Sequence, residues 1–328
     1  MARSVRLVHG LDNREPTFAP KSSTCRRRTI VRRIAHLSDV HILDGRAGRK
    51  ARYRFATKLV SMGQRALDPR QRTRRLARAL ALAKANGADH FVISGDLTEV
   101  GEDAEFEQFA EVLHDAGLPE DGVTIVPGNH DAYTSADGWA RAIRGPLARF
   151  AAASAAVAGK IVERGSVAFL PIDTTRFQSI AWSAGVFSKE TTAAVERRLR
   201  DPAFRDKTMV LVLHHPPFHP VKALKWIDGL RGGADVLGLL ARHPRLSLLH
   251  GHLHRIFNHI IATSSAVGAA LGQAVLRPSG SRAGSPEGPT RLFGAPATCD
   301  GPDDAPRIRF YDVKDGALHA VDMPFQAA

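Results

Sequence analysis

Asp39 and His41, Asp96 and Glu99, Asn129 and His130, His214, and His252 and His254 are the residues of this 328-residue chain whose types and spacing suggest chemistry. Each group follows a short apolar run: IAHLS before DVH, FVIS before GDLTE, VTIV before PGNHD, MVLVL before HHPP, and LSLL before HGHLH. An apolar run of that length with no helical period reads as a strand buried on both faces. Ligands of open α/β sheets collect beyond the carboxyl ends of strands, so polar clusters recurring there mark a site. Asp96 by itself would serve equally well as a helix cap. Recurrence at five strand ends makes independent coincidence a poor explanation.

Asp39, His41, Asp96, Asn129, His214, His252 and His254 offer nitrogen and oxygen donors and no thiolate, a set that suits divalent or trivalent Fe, Mn or Zn. Seven donors are too many for one tetrahedral ion. With Asp96 shared they divide into two sets of four, the arithmetic of two ions roughly 3.5 to 4 Å apart. Such a pair holds a hydroxide at neutral pH and neutralises phosphoryl oxygens during in-line attack on phosphorus. His130 is left over as a candidate acid. On an extended backbone the alternation of D-x-H and H-x-H puts 39 with 41, and 252 with 254, on one side.

The elements that must carry these clusters alternate strand and helix. Leu76, Ala79, Leu80 and Ala83 recur at helical spacing and end near Asn86-Gly87; Phe106, Phe109, Ala110 and Leu113 make a second crossover helix that Gly117 ends. Trp139 to Ala153 reads as helical with a break at Gly145-Pro146, and helices are expected over Glu190 to Leu199 and Gly229 to Arg242. Ile161-Val162 and Val167 to Ile172 read as strands. Residues 264–306 are rich in Ser, Gly and Pro and carry no clear period, and Arg307 to Val313 with Ala317 to Val321 reads as a closing hairpin around Asp315-Gly316.

Hydrophobic residues make up 44% of the chain, enough for a full α/β core, and no apolar run is long enough to span a membrane. The net charge of +13 is unevenly placed: residues 1–90 hold 22 Lys and Arg against 6 Asp and Glu. Residues 1–28 read as a basic, disordered extension, with the main domain over 29–328. Within 45–72, Arg49, Lys50, Arg52, Arg54, Lys58 and Arg65 interleave with Tyr53, Phe55, Leu59, Val60 and Met62, as in a basic amphipathic helix beside the site. The charged N-terminus lacks the apolar segment of a signal peptide, and the expected location is the cytoplasm. Cys25 and Cys299 match no metal or redox spacing.

Taken in order over about 216 residues, D-x-H, G-D-x-x-E, G-N-H-D, H-H-P-P and G-H-x-H resemble the calcineurin-like metallophosphoesterase superfamily. The resemblance covers Ile34 to about Phe310 and implies a four-layer α/β/β/α sandwich with mixed sheets. It implies that Asp39, His41, Asp96 and His254 hold one metal and Asp96, Asn129, His214 and His252 the other. It places the catalytic histidine at His130 and its acidic orienting partner at Glu99, where many members have Asp. His215 and His250 are expected either to support the ligands from behind or to be structural. GDLTE, GNHDAY and HHPP are most similar to bacterial phosphodiesterases of the cyclic-nucleotide and glycerophosphodiester type.

The leading expectation is a dinuclear metal-dependent phosphodiesterase acting on a small phosphorylated molecule. The basic amphipathic stretch motivates an alternative, hydrolysis of a phospholipid or lipid pyrophosphate at an anionic membrane surface. A non-catalytic scaffold would have no need of a competent residue at every ligand position. A nuclease is disfavoured because no aromatic stacking series accompanies the basic charge.

Overall fold

The structure is a computed structural model that describes residues 31–44, 68–262, 275–278, 290–300 and 306–321. The basic stretch of 45–67 and the extension of 1–28 lie outside the described residues.

The first apolar runs form β1 (Arg33–Leu37), β2 (His90–Ser94) and β3 (Val123–Val126), paired in parallel. The helix Pro69–Ala85 crosses from β1 to β2, and the helix Asp103–Asp115 from β2 to β3. Asp68 caps the first helix by accepting from the Arg70 amide, Pro69 occupies its opening turn, and Asn86 ends it. Leu76, Ala79, Leu80 and Ala83 of that helix and Phe106 and Phe109 of the next are fully buried in one cluster with Ile34, Val92 and Ile125 of the strands. Burying each such leucine or phenylalanine contributes about 1.5–3 kcal/mol. Trp139 to Ala153 divides at Gly145-Pro146 as expected, into the helix Gly138–Arg144 and the 3-10 turn Ala148–Ala153.

The second half begins with β4 (Val162–Arg164), β5 (Val167–Pro171) and β6 (Gly185–Val186), followed by the helix Lys189–Leu199 and β7 (Thr208–Val212). Next come β8 (Leu230–Arg231), the helix Gly233–Arg242, β9 (Leu246–His250) and β10 (Phe257–Ala262). The expected helix from Gly229 is thus shorter: Leu230–Arg231 pairs with Gly185–Val186, and the chain turns at Gly232 (φ +84°) before the helix begins. Two strands, β11 (Val275–Pro278) and β12 (Thr290–Gly294), come from the stretch without a period. The hairpin β13 (Arg309–Lys314) and β14 (Ala317–Val321) forms as expected.

Two mixed sheets result, in the orders β14-β13-β1-β2-β3 and β11-β10-β12-β9-β7-β5-β4. Side-chain alternation shows the second to be covered on both faces. Ala168, Leu170, Met209, Leu211, Leu246 and Leu248 pack with Val195, Val236 and Leu239 of the outer helices, whereas Phe169, Val210, Val212 and Leu249 join the cluster of the first sheet. His90 of β2 stacks on Phe169 of β5 at 4.2 Å, and Tyr311 of β13 meets Phe293 of β12 edge-on at 4.9 Å. Helix, sheet, sheet and helix make the four layers that the motifs implied. Parallel pairing aims the carboxyl ends of β1, β2 and β3, and of β7 and β9, towards one rim.

Candidate metal centre

Asp39, His41, Asp96, His252 and His254 all lie just past their strands and all have positive φ, between +51° and +71°. The pairs 39/41 and 252/254 share a side through left-handed residues alternating with ordinary ones, and not through the pleat of a strand. Asp and His tolerate this conformation better than most residues, at a cost of order 1–3 kcal/mol each that the surroundings must hold down. The turns after β1 and β2 run side by side and do so: Asp39 N–H donates to Gly95 O (3.0 Å), His41 N–H to Asp96 O (2.9 Å) and Ile42 N–H to Leu97 O (2.8 Å). Close approach explains two motif glycines. A Cβ on Gly128 would overlap Asp96 Oδ1, and one on Gly251 would overlap Ser38 Oγ.

The structure brings all seven expected donors together. Asp96 Oδ2 faces His214 Nε2 at 3.3 Å and His41 Nε2 and His130 Nε2 at 3.8 Å, while its Oδ1 accepts the His130 backbone N–H at 2.9 Å. On one flank Asp39 Oδ1 faces His254 Nε2 at 3.2 Å, and Asp39 Oδ2 accepts the His252 N–H at 3.1 Å. On the other, Asn129 Oδ1 lies 3.2 Å from His214 Nε2 and 3.1 Å from His252 Nδ1, and those two nitrogens are 3.3 Å apart.

The hydrogen bonds on the far sides of these rings decide what the near sides offer. His214 Nδ1 lies 2.7 Å from Ser94 O and His252 Nε2 lies 2.9 Å from Asp228 O. A carbonyl only accepts, so those nitrogens carry the protons and His214 Nε2 and His252 Nδ1 present lone pairs when the rings are neutral. The Asn129 amide nitrogen donates to Tyr133 Oη at 2.8 Å, which turns Oδ1 inward. Three lone pairs within 3.3 Å of one another repel unless a cation lies among them. Asp39 Oδ1 is fully buried, and the group it faces at 3.2 Å is another expected ligand, His254 Nε2. The residues therefore fit a pair of metal ions.

The electrostatics agree. Burial alone would raise the Asp96 carboxyl and lower the histidines; the attraction between them is stronger. Asp96 is held well below the usual carboxylate range by His214 and His130, and Asp39 is lowered by His254. Against the effect of burial, Asp96 lifts His214 to about 9, and Asp39 with Asp300 lifts His254 to about 10. In the metal-free protein these imidazoles take up protons where cations fit.

His130 Nδ1 donates to the backbone carbonyl of Glu99 at 2.8 Å. The Glu99 carboxylate lies elsewhere, with Oε2 3.7 Å from His41 Nδ1 and 3.7 Å from the fully buried Arg72 guanidinium. The hydrogen bond of His130 Nδ1 is thus made to the Glu99 main chain, where the Glu99 side chain was the expected partner. His215 is bonded through both ring nitrogens, to Thr174 Oγ1 (2.8 Å) and Ser183 O (2.9 Å). His250 Nδ1 bonds Gly251 O.

Three residues of the site escaped the sequence reading. Asp131 accepts from the amides of Leu97, Thr98 and Gly128 and from Thr98 Oγ1, tying the turn after β2 to the turn after β3. Burial and then the nearby Asp96 charge raise its carboxyl to about 7. Its place in G-N-H-D was a usable signal. Asp228 and Asp300, the partners of His252 and His254, stand in stretches with no motif.

No curated protein sequence matches this chain. A dimetal phosphatase from Danio rerio is similar in fold, with a TM-score of 0.59 at 14% identity over 87% of this chain and 93% of that one. A purple acid phosphatase from yellow lupin (Lupinus luteus) seeds aligns with 88% of this chain and 50% of its own, at 11% identity and a TM-score of 0.44. The sequence profile described as calcineurin-like phosphoesterase matches residues 32–255, which hold the five strand-end clusters, and on that match the chain belongs to the calcineurin-like phosphoesterase family.

Proposed function

We propose that this phosphoester hydrolase is a dinuclear metal-dependent phosphodiesterase acting on a small phosphorylated molecule in the cytoplasm. The observation that carries the reading is the convergence of His214 Nε2, His252 Nδ1 and Asn129 Oδ1, next to Asp96 Oδ2 and its three imidazoles. Asp39, His41, Asp96 and His254 would hold one ion and Asp96, Asn129, His214 and His252 the other. When bound, such a pair supplies Lewis acidity towards phosphoryl oxygens and a nucleophile at neutral pH. His130, with Nδ1 pinned by Glu99 O, keeps Nε2 at the rim of the cluster, where it would give a proton to the departing oxygen. Asp131 holds the turns that carry Asp96 and Asn129 in register.

The preference for a diester rests on the likeness of GDLTE, GNHDAY and HHPP to bacterial phosphodiesterases of the cyclic-nucleotide and glycerophosphodiester type. Bis-p-nitrophenyl phosphate and p-nitrophenyl phosphate, assayed with Mn, Fe or Zn and with chelator, test it. The diester is expected to have the higher kcat/KM by at least about tenfold, with chelator abolishing both; a monoester preference would overturn the diesterase reading.

A second reading is favoured by one surface. Phe177 is 57% exposed on the loop before β6, and Val221, Leu224 and Trp226 are 51, 44 and 63% exposed on the stretch that ends in Asp228, with Trp226 edge-on to Trp182 of the first loop at 5.4 Å. Exposed apolar side chains of this kind suit an acyl chain or a membrane surface. Sedimentation with anionic vesicles, weakened by Trp226→Ser, would favour hydrolysis of a phospholipid or lipid pyrophosphate there.

A further inference from the structure

We propose that Asp228 and Asp300 are the positioning carboxylates of the two halves of the metal centre, each gripping one imidazole by the nitrogen that faces away from the ligand cluster. The inference rests on the dinuclear reading above. Asp300 lies beyond residue 255, where the family match ends, and Asp228 belongs to none of the five motifs.

His252 Nε2 lies 2.9 Å from Asp228 Oδ1 and 2.9 Å from the Asp228 carbonyl, which leaves Nδ1 as the lone pair beside Asn129. Asp228 is itself braced. Ser183 Oγ donates to Oδ1, His219 Nε2 lies 3.2 Å from Oδ2, and the Ser183 and Gly185 amides donate to Ile227 O (3.1 Å) and Gly229 O (3.0 Å). The two loops thus hold one carboxylate still against one ligand.

His254 is gripped in the same sense by a different part of the chain. Its Nδ1 lies 3.1 Å from Asp300 Oδ2, and its Nε2 faces Asp39 Oδ1 at 3.2 Å. The segment carrying Asp300 is laid on the end of β1 by Thr298 N–H to Ser38 O (2.8 Å) and Cys299 N–H to Asp39 O (3.2 Å). One short segment therefore fixes the backbone of one ligand and the ring of another. His214 is unlike both, since its far nitrogen is held by the main chain at Ser94. Carboxylates placed in this way set the tautomer and rotation of a ligand imidazole and raise its basicity, and their loss costs about 10–100-fold in metal affinity.

The test is calorimetric titration of the chelator-stripped full-length protein with Mn(II) alone, backed by metal analysis and by thermal unfolding of the metal-free form. Asp228→Asn and Asp300→Asn keep the size of the side chain and remove its charge. Each is expected to weaken one equivalent by about 10–100-fold and leave the other in place, and the double variant to weaken both. Ser183→Ala, which touches no ligand, should reproduce the Asp228→Asn defect at smaller size and covers the case in which that variant does not fold. Parent affinity for both equivalents in Asp228→Asn and Asp300→Asn would overturn the assignment. A parent protein that binds fewer than two equivalents would overturn the dinuclear reading instead, and the pairing of one carboxylate per half with it.

Discussion

The two flanks of Asp96 are built from different material. Asp39, His41 and His254 form an anionic flank, whose rings face the carboxylates of Glu99 and Asp300 on their far sides. Asn129, His214 and His252 form a flank with no carboxylate among its own ligands, whose rings are held on their far sides by the Ser94 carbonyl and by the carbonyl and carboxylate of Asp228. A cation on the first flank is held by charge; one on the second depends on lone pairs being aimed correctly. The first should therefore survive small displacements that empty the second. The burden of this division falls on Asp96, whose Oδ2 faces His41 on one flank and His214 on the other.

Removing the shared charge is the most severe change to the two flanks. Asp96→Asn should abolish the distinction by emptying both flanks, with bound metal falling below one equivalent and activity by more than the roughly 100-fold of an outer contact. Metal analysis beside the diester assay checks it, and two retained equivalents would show that the flanks do not share Asp96. His130→Ala should spare both flanks, since His130 stands against Asp96 Oδ2 and edge-on to His41 at 4.4 Å without belonging to either set. The expected result is both equivalents retained and a rate lower by about 10²–10⁴. Loss of metal would make it a ligand.

The smallest effect is a matter of pH. His214 and His254 have folded-state values raised to about 9 and about 10 above an ordinary 6.5. A raised imidazole contributes stability that is complete below pH 6.5 and lost as pH climbs through the folded value. The melting temperature of the metal-free protein is therefore expected to fall between pH 6.5 and about 10, by an amount on the order of a few kcal/mol in stability. Metal uptake runs the opposite way, releasing protons at pH 7.5 and tightening towards pH 8.5. Titrations in buffers of different ionisation enthalpy count those protons. The metal-free melting curve separates this from any general alkaline weakening if Asp96→Asn flattens it.

How far each part could be read in advance followed from the range of the interactions involved. DVH, GD, GNH, HHPP and GHLH each sit against a buried apolar run, so the position of a ligand at a strand end is a local property that a few residues reveal. The helix from Pro69 carries its own cap, period and stop, and was equally legible. Gly229 to Arg242 was not, because Leu230–Arg231 pairs with Gly185–Val186, some 45 residues away, and that pairing overrides the local helical period. The strands after residue 264 were hidden for the same reason: β12 finds its partner in β9 and β11 in β10.

Residue types and their places after apolar runs established which side chains could bind cations, and that they would share one rim, because parallel strands with crossover helices leave their carboxyl ends on the same edge. Tertiary structure alone decided the rest. Left-handed turns aim the donors, the Glu99 main chain bonds His130 Nδ1, and Asp228 and Asp300 come from distant segments to hold two rings. Each of those outcomes depends on a contact between residues far apart in the chain, and no local pattern encodes the orientation of a ring whose partner lies 24 or 46 positions away.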